Sequence, residues 1–134
     1  MIQRLQSLWL LLAAISTFLT YNFPFYSGTT ATGYEKLNAQ FNTPVLLLTA
    51  LSGVGCIIII FLYKQRKLQF RLTIAAFLLA VLNIIYYFKL SGQFTNGNIS
   101  LTAVFYFILP VLIFLAARGI WKDARLVKNL DRLR

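Results

Sequence analysis

Four long apolar stretches divide the chain, each bounded by short polar segments. They cover about residues 8–26, 44–63, 68–88 and 99–121. Each is close to the ~20 residues a helix needs to cross the hydrocarbon core of a bilayer. The runs are continuous and lack the alternation of a membrane β-barrel strand. A span in lipid must satisfy its backbone polar groups internally, so each run predicts a helix. Short connections favour antiparallel neighbours. The pattern therefore predicts an all-α membrane protein, a four-helix transmembrane bundle forming one domain over residues 1–134.

The polar segments set an orientation. Arg4 precedes the first run. Lys64, Arg66, Lys67 and Arg71 surround the connection between the second and third. Arg118, Lys122, Arg125, Lys128, Arg132 and Arg134 gather at the C-terminus. Only Lys36 and Lys89 belong to the opposite side. Lysine and arginine favour cytoplasmic loops, which puts both termini and the middle connection inside. Trp9, Tyr63 and Trp121 fall at the inner ends of the runs, and Tyr21, Tyr26, Tyr86 and Tyr87 at the outer ends, as interfacial aromatics do. The first run is as long as a span and ends without a clean small-x-small site, so it reads as an uncleaved anchor.

The outer connections, about 27–43 and 89–98, are rich in Ser, Thr, Gly and Asn, and neither is long enough to fold a domain of its own. Ser91-Gly92 and Asn96-Gly97 read as turns. Asn42-Thr43-Pro44 reads as a helix start, with a capping side chain ahead of a proline at the first helical position.

Composition narrows the chemistry. With 13 Lys and Arg against three acids the net charge is +10. The basic residues flank apolar runs and form no separate soluble face, which argues against nucleic acid as a partner. No histidine is present, and Glu35, Asp123 and Asp131 are too far apart in sequence to suggest a carboxylate pair. No metal and no cofactor is expected. Cys56, the only cysteine, lies within an apolar run, where burial favours the unreactive thiol.

Within the spans, a few residues stand out. Pro110 removes the donor that the Tyr106 carbonyl would use, which predicts a kink repaired by neighbouring helices. Asn83 in the third span is expected to bond across to another helix, with Ser16, Thr17, Thr20, Thr49 and Ser52 as candidate partners. Small residues cluster at Ala50, Ser52, Gly53, Gly55 and Cys56, and again at Ala76 and Ala80. Small residues spaced by four let helix backbones approach closely, which predicts tight packing of spans two and three.

The C-terminal tail has a pattern of its own. Ile120, Ala124, Val127 and Leu130 follow helical spacing, widened by Leu126, and the opposite positions carry Lys122, Asp123, Arg125, Lys128, Asn129 and Arg132. This predicts a basic amphipathic cytoplasmic helix over the tail 122–134, continuing from span four. With Lys64, Arg66 and Lys67, the residues Arg118, Lys122, Arg125, Lys128, Arg132 and Arg134 form a candidate surface for anionic headgroups or a protein partner.

Three stretches carry a family resemblance. Met1-Ile2-Gln3-Arg4 with Gln6-Ser7 and Leu10 through Ile15, the middle segment Leu62 through Gln69 with Arg71-Leu72, and the end from Ala117-Arg118-Gly119-Ile120 through Asp131-Arg132-Leu133-Arg134 resemble a family of small, uncharacterised four-span inner-membrane proteins of Bacteroidota, a domain-of-unknown-function family. The resemblance implies fold, inner-membrane location and bacterial origin, and lends no catalytic residue. The expected function is that of a non-enzymatic accessory or structural subunit, acting through helix packing and its basic face, with another membrane protein or a second copy as partner. The alternative is a small oligomeric transporter or lipid-binding membrane protein. Charges near the middle of a span, which mark ion and proton paths, are lacking from the four runs.

Overall fold

The computed structural model describes residues 2–132. Its second, third and fourth helices follow the apolar runs: α2 is Thr43–Phe61, α3 is Arg66–Ser91, and α4 is Val104–Arg132, entered through a 3-10 turn at Leu101–Ala103. The segments Thr43–Phe61, Arg66–Ser91 and Leu101–Leu130 are long and apolar enough to cross a membrane. Asn42 takes the extended backbone of a helix cap and Pro44 sits in the first turn, but the Asn42 side chain makes no capping bond.

The first helix corrects the expectation of a span reaching Tyr26. Helix α1 runs Ile2–Leu19, and its apolar part, Leu5–Leu19, is about 22 Å long at 1.5 Å per residue, against a hydrocarbon core of about 30 Å. Two local causes end it early. Pro24 disfavours helical backbone at Phe23. The hydroxyls of Ser16, Thr17 and Thr20 turn back on the carbonyls of Leu12 (2.9 Å), Ala13 (2.8 Å) and Thr17 (2.6 Å), and such back-bonding loosens a helix. The last carbonyls of the helix accept local N–H groups, Phe18 from Tyr21 and Leu19 from Asn22 and Phe23, and the carbonyls just past its end are taken up from outside. Tyr106 Oη reaches the carbonyls of Thr20 (3.0 Å) and Phe23 (2.7 Å), and Asn38 Nδ2 donates to that of Tyr21 (3.2 Å).

The four helices form a ring in which α1 and α3 each pack against both α2 and α4. Leu10, Ala13, Ala14, Cys56, Ile59, Ala76, Ala80, Leu109, Leu112, Ile113 and Ala116 fill the middle. The outside is equally apolar. Leu8, Leu11 and Ile15 on α1, Leu51, Val54 and Ile58 on α2, Leu78, Leu82 and Ile85 on α3, and Val104, Val111 and Phe114 on α4 are all exposed. Helices that are apolar on every side suit a membrane interior rather than a water-covered surface.

The two polar connections, expected to remain loops, meet and form a sheet. Strand β1 (Tyr26–Thr30) pairs antiparallel with β2 (Gly33–Leu37) on one side and with β3 (Asn96–Ile99) on the other. Gly28 stands opposite Gly97 in the register. A Cβ on Gly28 would lie 2.4 Å from the Asn96 carbonyl oxygen, and one on Gly97 would lie 2.6 Å from both the Ser27 carbonyl oxygen and the Tyr26 ring. The bare backbone of Gly97 thus takes the Tyr26 ring, whose hydroxyl donates to the Gly97 carbonyl (2.7 Å). Phe25, fully buried, drops from the sheet into the end of the bundle. Its ring lies 5.2 Å from those of Tyr87 and Tyr106, 5.3 Å from that of Phe88 and 5.8 Å from that of Phe107.

Candidate functional site

The N-terminus, the α2–α3 connection and the C-terminal turns lie together at the end of the bundle opposite the sheet, where most of the basic residues gather. Four polar side chains knit the helices there. Gln6 on α1 donates through Nε2 to Oδ2 of Asp123 on α4, and both residues are buried. Arg66, at the start of α3, donates through Nη1 to the Asp123 carbonyl oxygen (3.4 Å). Gln69, one turn further along α3 and also buried, donates to the carbonyl of Ile59 in the last turn of α2 (3.2 Å). The same carbonyl also accepts the backbone N–H of Leu62 at the C-cap of α2 (3.2 Å). Gly119 makes the α1–α4 contact possible: a Cβ there would stand 2.8 Å from Gln6 Cγ. A cleft of about 450 Å³ opens beside these residues, lined also by Ser7, Ile60, Phe61, Tyr63 and Ile120.

Around this clasp the cationic side chains point outward. Lys64, Lys67, Arg118, Lys122, Arg125, Lys128 and Arg132 are exposed and Arg66 is half-buried. Arg125 stacks over Trp121 with its Cζ 5.4 Å from the ring centroid. Arg134 lies outside the described residues.

The tail differs from the expected amphipathic helix. Helix α4 continues unbroken to Arg132, and of the anticipated stripe only Ile120 is buried. Ala124 is half-buried, while Leu126, Val127 and Leu130 are exposed. Asp123, expected on the polar face, points inward. The reason is helical phase. The buried face of α4 runs through Leu109, Ile113, Ala116 and Ile120, and Asp123 continues it at the next spacing of three. That phase is the signal that reveals Asp123. Gln6 stands four residues before the buried Leu10, and Gln69 four before the buried Thr73, so both also lie on inward faces that the sequence reading passed over.

The residues singled out within the spans are divided among several contacts. Asn83 Nδ2 donates to Thr49 Oγ1 across the α2–α3 interface (3.0 Å). Asn83 Oδ1 and the Tyr87 hydroxyl, on the same face of α3, are buried without a partner in hydrogen-bond geometry among the described residues. Ser52 turns its hydroxyl to the Thr49 carbonyl (2.8 Å), and Cys56, Ala76 and Ala80 sit in the core. Gly53 departs from the expected packing of spans two and three. It faces α1, where its Cβ would meet Thr17 Cγ2 at 3.1 Å, and Gly55 has open space on its bare side. Pro110 is half-buried within a helix that runs on past it.

The interior offers interlocking hydroxyls and an amide, and the basic end offers donors of one charge around the buried carboxylate of Asp123. The first arrangement fixes helices against one another, as the clasp does at the basic end. The exposed cations around the clasp are suited to holding anions or an acidic surface. No curated protein and no solved structure matches the chain. A family model described as a domain of unknown function (DUF4293) matches residues 2–133, and the chain belongs to that family.

Proposed function

We propose that the chain is a non-enzymatic protein of a bacterial inner membrane, oriented with its basic end in the cytoplasm, that serves as an accessory or structural subunit of a membrane complex. The observation that carries this reading is the clasp of Gln6, Arg66, Gln69 and Asp123 beneath a surface of exposed cations. It ties all four helices at one end and so gathers Lys64, Lys67, Lys122, Arg125 and Lys128 at that end. Exposed charges of one sign meet an acidic surface by charge complementarity. The partner is another membrane protein with acidic groups at the cytoplasmic level, or a second copy joined through helix packing.

The test is purification at native expression in a gentle detergent, comparing the natural chain with one in which Lys64, Lys67, Arg125 and Lys128 are replaced by Glu. A specific protein that co-purifies with the natural chain and is lost from the variant supports the proposal. Migration of the natural chain as a free monomer with nothing bound overturns it. A second reading, a lipid-binding membrane protein, is favoured by an apolar groove between α3 and α4.

A further inference from the structure

That groove has the shape of a ligand site with two chemically different halves. Phe70, Ile74 and Phe77 on α3 face Phe114, Ala117 and Trp121 on α4 across a trough of about 430 Å³. Both sets follow the three-and-four spacing of one helix face. The trough is bounded at one end by the Phe77 and Phe114 rings, with centroids 6.2 Å apart, and its floor is the small side chain of Ala117. From Phe114 to Trp121 it spans about 10 Å along the helix axis.

At Trp121 the character changes. The same ring borders a second hollow of about 690 Å³, lined by Arg66, Lys67, Arg125 and Lys128 together with Ala124 and Val127. Arg118 also lines the trough, and Arg125 is held beside the second hollow by its stacking on Trp121. Among the described residues, no acid lines either hollow. The nearby carboxylate of Asp123 is turned away into the clasp with Gln6.

We propose that the α3–α4 groove binds one anionic phospholipid, an acyl chain in the Phe70–Phe114 trough and the phosphate among Arg66, Lys67, Arg125 and Lys128. The inference rests on the proposed orientation only in placing the basic hollow at headgroup level. Charge complementarity selects the occupant. A zwitterionic lipid brings its own cation into a hollow that already holds four. A soluble anion leaves the trough unfilled. An amphiphile with a negative head matches both halves. The trough is shorter than the ~15 Å depth of one leaflet, so it takes part of a chain and leaves the remainder in the bilayer. Trp121 fits the boundary between the halves, since indoles favour the headgroup level.

Native mass spectrometry of the purified full chain tests this, with phosphatidylglycerol and phosphatidylcholine titrated in parallel and glycerol phosphate as the soluble anion. Expected is retention of phosphatidylglycerol over phosphatidylcholine by at least tenfold, with no retention of glycerol phosphate. Replacing Lys67, Arg125 and Lys128 together by Ala is expected to weaken the anionic lipid about a hundredfold, at roughly fivefold per basic residue near a headgroup. Ala117→Phe fills the trough and leaves every charge in place; it is expected to lower retention of the diacyl lipid while the chain stays folded by circular dichroism. Equal retention of the two lipids, undiminished binding by the triple variant, or undiminished binding by Ala117→Phe overturns the site. So does a co-purifying protein whose removal is required before lipid binds. Lipid selectivity by a free monomer would leave this site standing while overturning the subunit reading.

Discussion

The Gly119–Gln6 contact predicts a substitution whose effect changes sign with its background. Gly119 lies within helix α4. Replacing a helical glycine by alanine ordinarily stabilises by about 1 kcal/mol, because the flexible unfolded backbone loses fewer states. Here the added methyl would meet Gln6 Cγ at 2.8 Å, too close for both to remain in place. The glutamine side chain is free to swing aside, but Gln6 Nε2 is bonded to the buried Asp123 carboxylate. Moving it sacrifices a hydrogen bond to a charged group, about 1.5–3 kcal/mol. Gly119→Ala is therefore expected to destabilise the chain by about 0.5–2 kcal/mol. In a Gln6→Ala chain the obstructing atoms are gone and the bond is already lost. The same Gly119→Ala change should then stabilise by about 1 kcal/mol. The coupling between the two sites is about 1.5–3 kcal/mol, toward the upper end for residues in contact. Reversible unfolding in mixed micelles of increasing SDS fraction, followed by Trp9 and Trp121 fluorescence, measures all four chains. Gly119→Ala shifting the midpoint equally in both backgrounds would refute the clasp.

Two further outcomes follow from the opposite end and from the core. Phe25→Ala removes a fully buried ring that touches four other aromatic rings, and should cost about 3–5 kcal/mol; the same micelle titration reads it, and a loss under 1 kcal/mol would mean the sheet is not seated on the bundle. Cys56 is completely buried, so a maleimide is expected to leave it unmodified in the folded protein and to label it once SDS unfolds the bundle, with labelling and fluorescence midpoints coinciding.

The parts of this fold legible in the sequence are those set by length and hydropathy. Helices α2, α3 and α4 each fill an apolar run long enough to span a bilayer, and the proline at 44 marks a start. The end of α1 is harder to read because Tyr21, Phe23, Phe25 and Tyr26 keep the stretch apolar while Pro24 breaks the helix. The sheet is less legible again. Tyr26–Thr30 and Asn96–Ile99 are separated by two whole helices, and what pairs them is the close approach of Gly28 and Gly97, a property of two glycines together that neither shows alone. The clasp was hidden by a different confusion. Glutamine near the end of an apolar run looks like an ordinary interfacial residue, and Asp123 belongs to the polar face of the tail only if the tail is phased separately from α4.

The two ends of the bundle are held by different physical means, and this bears on where the protein is able to respond. At the sheet end the strands are joined backbone to backbone, and the end of α1 is held by bonds to Thr20, Tyr21 and Phe23 carbonyls. Opening that end means breaking several such contacts at once and withdrawing Phe25 from its ring cluster. At the basic end the described ties between helices run through side chains: Gln6 to Asp123, Arg66 to the Asp123 carbonyl, Gln69 to Ile59. Each of these is released by a rotation of one side chain without moving the backbone. Beyond Ala124 the side chains of residues 125–130 are all exposed, so the last turns of α4 lack buried packing to restrain them. Local opening is easiest where buried apolar contacts are fewest, and that region coincides with the cations proposed to meet a headgroup or a partner. An anion bound among Arg66, Arg125 and Lys128 would bridge α3 to the free turns of α4. It would thereby stabilise the very end that the chain's own contacts hold least firmly, by an amount that grows with ligand concentration over its dissociation constant.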